Sequence, residues 1–361
     1  MTAIVTVLDV PTGSPGGSIE LLHDLYAGSG PLIPARVFML EGDQPPLPPI
    51  EILHDSGKCL TGSRFWAYAD TLTTQLTAIL DPSDVALTHL QHLAFGASPA
   101  LLRALPGIPS LALVHGTDLL HAACHDTQHR VLQHVAGKAT AIVVPTPAMA
   151  DRLRQLAPAL DATKIHQVPW GVPDDLLSAP PSRSRTGGEG PFRLLYAGRL
   201  TAEKGVRTLA EACANTVGTT LSIAAPPTQY TNLAARLQAL RCSHRYLGWL
   251  TRRQLWECFR QHDALVIPST TLEAFGLVAI EAQACGLPVL YQPVPGLVDV
   301  LADSALPLDF TDPAALTATL HLLRHDPALP ADLQAAGYAN ARRYPISNTA
   351  TALTELGNRI I

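Results

Sequence analysis

Two short segments in the second half of this 361-residue chain gather residue types suited to holding an anion. The first, AGRLTAEKGV (Ala197–Val206), runs from a β-rich stretch through a glycine turn into a helical pattern. Arg199 and Lys204 then stand at a strand exit and a helix start, beside the positive end of the helix dipole. A guanidinium fork and an ammonium point charge placed there suit a diphosphate. Lys204 is one of only four lysines in a chain with 21 arginines. On local pattern alone a solvated surface turn competes with that reading.

The second segment is STTLEAFGLVAIEAQACGLPV (Ser269–Val289), where Glu273 and Glu281 lie eight residues apart around a tight AFGL turn. A helix that starts at Gly276–Leu277 offers free backbone N–H groups, a second anion site. Glu281 falls among Val278, Ala282 and Cys285 on an apolar helix face, where a carboxylate without donors is costly. Two hydroxyls of a ribose diol would supply those donors, and a structural ion pair would do so equally.

Histidine is the other plentiful reactive type, with 14 residues. His115 closes a strand ahead of a helix, the position where ligands are met in parallel α/β sheets; a neutral core histidine is the alternative. His89 and His92 (THLQH) follow another strand and, with Asp118, are candidates for the same rim, on the side of a second substrate. His121, His125 and His129 repeat at i, i+4, a spacing that could bind a metal. They lie off the apolar stripe of Leu120, Cys124, Val131 and Val135, so a solvated row is the preferred reading and no metal is expected. The six cysteines include no CxxC pair and read as reduced thiols.

The elements that must carry these residues alternate between short apolar runs and helical patterns. In the first half, strands are expected at Ala3–Val10, Ala35–Leu40, Asp84–Leu90, Ser110–His115, Ala141–Pro145 and Ile165–Pro169. Helices are expected at Gly17–Ala27, Ser63–Leu80, Pro99–Leu105, Asp118–Val135 and Ala148–Leu156. The proline-, glycine- and serine-rich stretch Ser178–Pro191 reads as a linker. Alternation resumes with strands at Arg193–Ala197, Thr220–Ala224, Ala264–Pro268, Pro288–Tyr291 and Leu306–Leu308. Helices at Val206–Asn215, Thr231–Leu240, Arg252–Gln261, Val278–Cys285 and Pro313–Arg324 lie between them. Such β-α alternation implies parallel sheets covered by helices on both faces. The expected fold is therefore α/β, two Rossmann-like doubly wound domains facing each other across a deep cleft. Residues 1–177 form the first, with the terminal segment 344–361 packing back on it; 178–191 link it to the second, 192–343. No GxGxxG follows the first strand and no P-loop motif occurs.

Composition bounds the partners. Twenty-five basic against 30 acidic residues give a net charge of −5, which argues against nucleic acid or an anionic bilayer. No apolar run approaches the roughly 18–20 residues that span a membrane, so no stable membrane insertion is expected. The N-terminus reads as a first strand and not as a signal peptide. A cytoplasmic protein is expected, and its oligomeric state stays open. Residues 1–185 carry 11 basic and 16 acidic groups, residues 186–361 carry 14 of each.

GRLTAEKG, with PSTTLEAFGLVAIEAQACGLPV about seventy residues later, resembles the retaining family 4 glycosyltransferases of the GT-B fold. The intervening YLGWLTRRQLWECFRQHDALVIPS is similar to that family's base-binding segment, which includes Gly248. In the first half PGGSIELLHDL, HGTD, PTPAMADRL and VPWGV match the family's order, with Trp170 where the family usually shows asparagine. The resemblance implies a nucleotide-sugar donor, UDP- or GDP-type, held mainly by the second domain. Arg199 and Lys204 would neutralise its diphosphate and Glu281 would hold the ribose. Glu273 and the backbone of Ala274, Phe275, Gly276 and Leu277 would meet the transferred sugar and distal phosphate. Gly16 and Gly17 would form the loop laid against the diphosphate, and His115 would sit near the reacting carbon.

The expected activity is retaining transfer of a sugar to a small hydroxylated soluble acceptor, an aminated one among the candidates. Secondary-metabolite biosynthesis is a candidate setting. No cofactor is required, the sugar nucleotide being a substrate. The acidic first half favours a neutral or cationic acceptor over an anionic lipid. Two alternatives stand: a GT-B-type nucleotide-sugar epimerase, for which Asp118 is the nameable first-domain carboxylate, and a catalytically silent sugar-nucleotide-binding partner subunit.

Overall fold

Strand β1 (Ala3–Pro11) begins a seven-stranded sheet that continues with β2 (Ala35–Leu40), β3 (Ile50–Leu53), β4 (Val85–Gln91), β5 (Ser110–Leu113), β6 (Ala141–Val144) and β7 (Ile165–Gln167). The structure, a computed structural model, describes residues 3–54, 58–181 and 190–361. The sheet order is β3-β2-β1-β4-β5-β6-β7, and neighbouring strands pair in parallel. Strands β5 and β6, SLAL and AIVV, are buried at all four of their residues, as expected where helices cover both faces of a parallel sheet.

A second, six-stranded sheet contains β8 (Phe192–Ala197), β9 (Thr219–Ala224), β10 (His244–Gly248), β11 (Ala264–Ile267), β12 (Val289–Tyr291) and β13 (Leu306–Pro307). Its order, β10-β9-β8-β11-β12-β13, repeats the doubly wound pattern of the first. Leu194, Leu221, Ile223, Val266 and Leu290 of the sheet pack with Leu209, Leu316 and Leu320 of the helices. In each sheet the strand order reverses once, between β1 and β4 and between β8 and β11. Ligands in such folds sit beyond the strand ends at that reversal.

The chain divides into two compact units, Met1–Trp170 with Ile346–Ile361, and Gly171–Pro345. The terminal helix Ile346–Ile360 runs so close to β4 that a Cβ on Gly357 would touch Leu87, and Thr349 Oγ1 donates to the Pro169 carbonyl at 2.9 Å. The linker read at Ser178–Pro191 falls largely on residues 182–189, outside the described residues.

Most expected elements are present, with three differences. The helix expected over Asp118–Val135 is two, Thr117–Cys124 and Asp126–Lys138, broken at His125, whose backbone is extended (φ −138°, ψ 117°). The i, i+4 histidine row is therefore not one helical ladder. His121 stacks on His125 with centroids 5.1 Å apart, while His129 Nε2 bonds the Leu156 carbonyl. Among the described residues no group of three or more metal-ligating side chains gathers. Strands β3 and β10 are additional, as are the helices Asp174–Ser178, Leu297–Leu301, Ala328–Ala341 and Ile346–Ile360. Among the described residues no helix is long and apolar enough to cross a membrane.

Candidate active site

The second unit gathers Arg199, Lys204 and Glu273 at the β8–β11 reversal. Chain direction after β8 is fixed by local bonds: the Tyr196 hydroxyl donates to the Arg199 carbonyl and Leu200 N–H to Gln229 Oε1. A short 3₁₀ turn, Ala202–Lys204, then leads into helix Val206–Ala214 through Gly205. Gly205 has φ +65°, and a Cβ there would collide with the Pro268 carbonyl. Only glycine lets the turn carrying Lys204 lie this close to the end of β11.

That approach brings Lys204 and Glu273 together across 69 residues of sequence. Lys204 Nζ lies 2.6 Å from Glu273 Oε2, and Ser269 Oγ donates to the same oxygen at 2.9 Å. Glu273 is itself held by its N–H bond to Pro295 O (3.1 Å) and by Gly296, where a Cβ would strike the Glu273 carbonyl. Burial of the Glu273 carboxyl raises its pKa, but Lys204, Ser269 and Arg199 together hold it below the ordinary value. Arg199 therefore belongs to the same electrostatic cluster. Gly276, with φ +79°, turns the chain into helix Leu277–Ala284, whose first-turn N–H groups come directly after Ala274 and Phe275.

Glu281, on that helix, is buried, and its partner is a guanidinium: Arg252 Nε donates to Oε1 at 2.5 Å. The structural ion pair weighed from the sequence thus exists. Arg252 opens helix Arg252–Phe259 behind a capping box in which Thr251 and Gln254 satisfy one another's backbone. The box marks a helix start in the sequence, but nothing there marks the arginine's partner. Gly248 ends β10 with φ +79°, its carbonyl accepting from Ala225 N–H at 2.9 Å. Beside it Tyr246 and Tyr230 stack with centroids 3.7 Å apart.

In the first unit Gly16 caps helix Gly17–Tyr26 with φ +154°, and a Cβ there would meet nothing. Its glycine is needed for conformation, with open space beside it. His115 is half-buried and lies between two rings. Trp170 stacks on it (centroids 5.9 Å, interplanar 26°) and His92 tilts against it (4.4 Å). Trp170 thus fills space beside the histidine as an apolar wall. His115 Nε2 bonds Gln91 Oε1 at 2.8 Å, and burial pushes the imidazole pKa down to about 3. His92 is buried with φ +68°, a conformation rare for a side-chain-bearing residue.

Two rim candidates prove to be scaffold. His89 is fully buried, its Nδ1 bonded to the Tyr26 hydroxyl at 2.7 Å, because its strand position faces the core. Asp118 is also fully buried: Oδ2 accepts Leu93 N–H at 2.9 Å, tying the loop after β4 to helix Thr117–Cys124. Burial raises its pKa to about 6, against backbone hydrogen bonds that lower it. Both are corrections to an acceptor-side placement. Sequence reading also missed Asp9, a buried carboxylate at the end of β1 that accepts from Gly96 N–H (3.0 Å) and lies 3.8 Å from Lys58 Nζ.

This constellation has relatives. The sequence pattern described as "Glycosyl transferases group 1" matches residues 182–340, and that described as "Glycosyltransferase Family 4" matches 33–176. The chain is 31% identical over 295 residues to a D-inositol 3-phosphate glycosyltransferase of Xylanimonas cellulosilytica, covering 76% of this chain and 66% of that protein. It is 30% identical to D-inositol 3-phosphate glycosyltransferase 1 of Catenulispora acidiphila, covering 72% and 69%. With a glycogen synthase of Mycobacterium tuberculosis it shares 30% identity over 64% of this chain and 58% of the other. The chain thus spans about two thirds or less of the length of most of these relatives. In fold it is similar to a sucrose-phosphate synthase from Thermosynechococcus elongatus (TM-score 0.81, 19% identity, 99% of each chain covered). It is likewise similar to Anabaena HepE, solved with UDP-glucose (TM-score 0.76, 16% identity, 98% and 99% covered).

Proposed function

The chain belongs to the group 1 and family 4 glycosyltransferases, of GT-B fold, and from that premise we propose that it transfers a sugar from a UDP- or GDP-type nucleotide to a small polyhydroxylated acceptor. The observation that carries the reading is the Arg199–Lys204–Glu273 cluster at the β8–β11 reversal, next to a helix N-terminus. Breaking an anomeric C–O bond leaves a nucleoside diphosphate and an oxocarbenium-like sugar. The protein's largest available contribution is to stabilise charge growing on the departing oxygen. Arg199 and Lys204 are assigned to the diphosphate, with the Leu277 end of its helix on the distal phosphate. Glu273, ionised and anchored, is assigned to the sugar hydroxyls; the Glu281–Arg252 pair is assigned to the ribose. Gly16 and Gly17 are assigned to the diphosphate loop. The acceptor proton passes to the leaving phosphate on the same face of the sugar, which retains the anomeric configuration.

Two relatives are named for inositol phosphate, which supports a compact polyol acceptor. The acidic balance of residues 1–185 favours a neutral or cationic one. Asp118, the carboxylate on which an epimerase reading rests, is fully buried and accepts from Leu93 N–H, which weighs against that reading. The free thiols fit a reducing compartment, and we place the activity in the cytoplasm. Incubation with UDP- and GDP-sugars, with and without polyol acceptors, tests the proposal by mass spectrometry. Transfer with retained configuration is expected; donor interconversion without acceptor, or binding without turnover, would reject it.

A further inference from the structure

The hydrogen bonds behind His115 fix where its ring protons sit. Thr6 Oγ1 lies 2.8 Å from the His89 carbonyl, an acceptor only, so the single hydroxyl proton of Thr6 points there. Its oxygen can then only accept, and the group facing it at 3.0 Å is the Gln91 side-chain amide. That group must be the NH₂. The Gln91 carbonyl oxygen therefore faces His115 Nε2 at 2.8 Å and requires a proton on it. Thr6, His89 and Gln91 are all at least 98% buried, so water does not compete for these bonds.

From this chain of constraints we propose that Thr6 and Gln91 are positioning residues that hold His115 as its Nε2–H tautomer, so that Nδ1 presents a lone pair to a substrate hydroxyl. The ring is clamped by Trp170 and His92, and among the described residues Nδ1 makes no hydrogen bond. A lone pair at Nδ1 accepts from a sugar or acceptor hydroxyl and cannot serve a phosphate oxygen, which has no proton to donate. This rests on the transferase reading only for what the hydroxyl belongs to; the tautomer is a property of the free protein. Burial keeps the ring neutral near pH 7, which leaves the lone pair in place.

Long-range ¹H–¹⁵N correlation of the protein labelled in its histidines reads the tautomer directly, with His115 assigned by its loss in His115→Gln. The expected result is protonated Nε2 and bare Nδ1 in the free protein. Thr6→Val, which releases the amide to flip, is expected to give a tautomer mixture, and Thr6→Ser to restore the single form. Gln91→Glu puts a carboxylate against Nε2, raises the imidazole pKa and protonates Nδ1 at lower pH. Its kcat/KM should fall roughly tenfold on the acid side and recover as pH rises, unlike the wild-type profile. An Nδ1–H tautomer in the wild-type protein, or a Gln91→Glu pH profile parallel to wild type, overturns the proposal. Failure of every sugar nucleotide to bind would reject the transferase reading, while the spectrum still decides the tautomer.

Discussion

Lys204 Nζ stands 2.6 Å from Glu273 Oε2, on side chains 25% and 16% exposed, so the ammonium is paired with a carboxylate in the structure. Arg199 acts on the same carboxyl through its charge. Arg199→Ala should lower kcat/KM on the order of 10²–10³-fold, the size seen when one charge-stabilising donor is removed. Lys204→Ala should show a similar kinetic loss and also lose about 2 kcal/mol of stability, because Glu273 is left without its ammonium. Steady-state kinetics paired with urea denaturation measure both effects, and a Lys204→Ala variant as stable as wild type would contradict the pairing.

Arg252 and Glu281 form a pair with side chains 13% and 7% exposed. Arg252→Ala strands a buried carboxylate and should cost about 3–5 kcal/mol. Replacing both, as Arg252→Met with Glu281→Leu, should recover most of that stability, since the pair's attraction largely offsets its own desolvation. A double variant as unstable as the single one would show that further groups depend on the arginine.

How far the sequence reaches is visible in these pairs. Apolar runs such as AIVV and ALVI name buried strands, and glycine turns at Gly205 and Gly276 name helix starts, because both are local patterns. β3 escaped because its four residues, IEIL, come after a proline-rich stretch, and β10 because HRYLG is a half-exposed edge strand with little apolar signal. The break at His125 is hidden since the apolar stripe continues past it. Partners are less legible than elements. Arg252 and Glu281 are 29 residues apart, and Thr6 and Gln91 are 85, with strand order alone bringing the latter together. His89 and Asp118 misled because a place near the end of β4 or in the first turn of helix Thr117–Cys124 does not say which way a side chain turns.

His89 and Asp118 predict opposite pH dependences. His89 is held down to about 4 by burial, below its usual 6.5, so the unfolded chain binds the proton that the fold refuses. Stability from this group is complete above pH 6.5 and is lost as pH falls towards 4. Asp118 is held up at about 6 against 3.8, so its contribution is present at low pH and is lost as pH rises through 6. Against wild type, His89→Gln should reduce acid destabilisation by up to about 1.4 kcal/mol per pH unit between pH 6 and 4.5. Asp118→Asn should steepen it by a similar amount. Urea midpoints at half-unit pH steps measure both, and parallel curves would refute the assignments.

The position of Glu273 depends on a residue with no assigned substrate contact. Gly296 has φ +88°, and a Cβ there would run into the carbonyl oxygen of Glu273. Gly296→Ala must therefore either strain its own backbone or push the 273 peptide away from Pro295, whose carbonyl holds the Glu273 N–H. The first response costs stability, about 2 kcal/mol or more. The second moves a carboxylate whose hydrogen bonds to Lys204 and Ser269 are 2.6 and 2.9 Å long, and small displacements of positioned groups are expensive in rate. The expected outcome is a folded but destabilised variant with kcat/KM reduced about tenfold or more. Gly286→Ala serves as the comparison: its φ is +73° and its Cβ would meet Tyr338 and Gln334 side chains, away from the cluster. It should lose stability with unchanged kcat/KM, and a matching kinetic loss there would mean that destabilisation alone, and not Glu273, explains the Gly296 result.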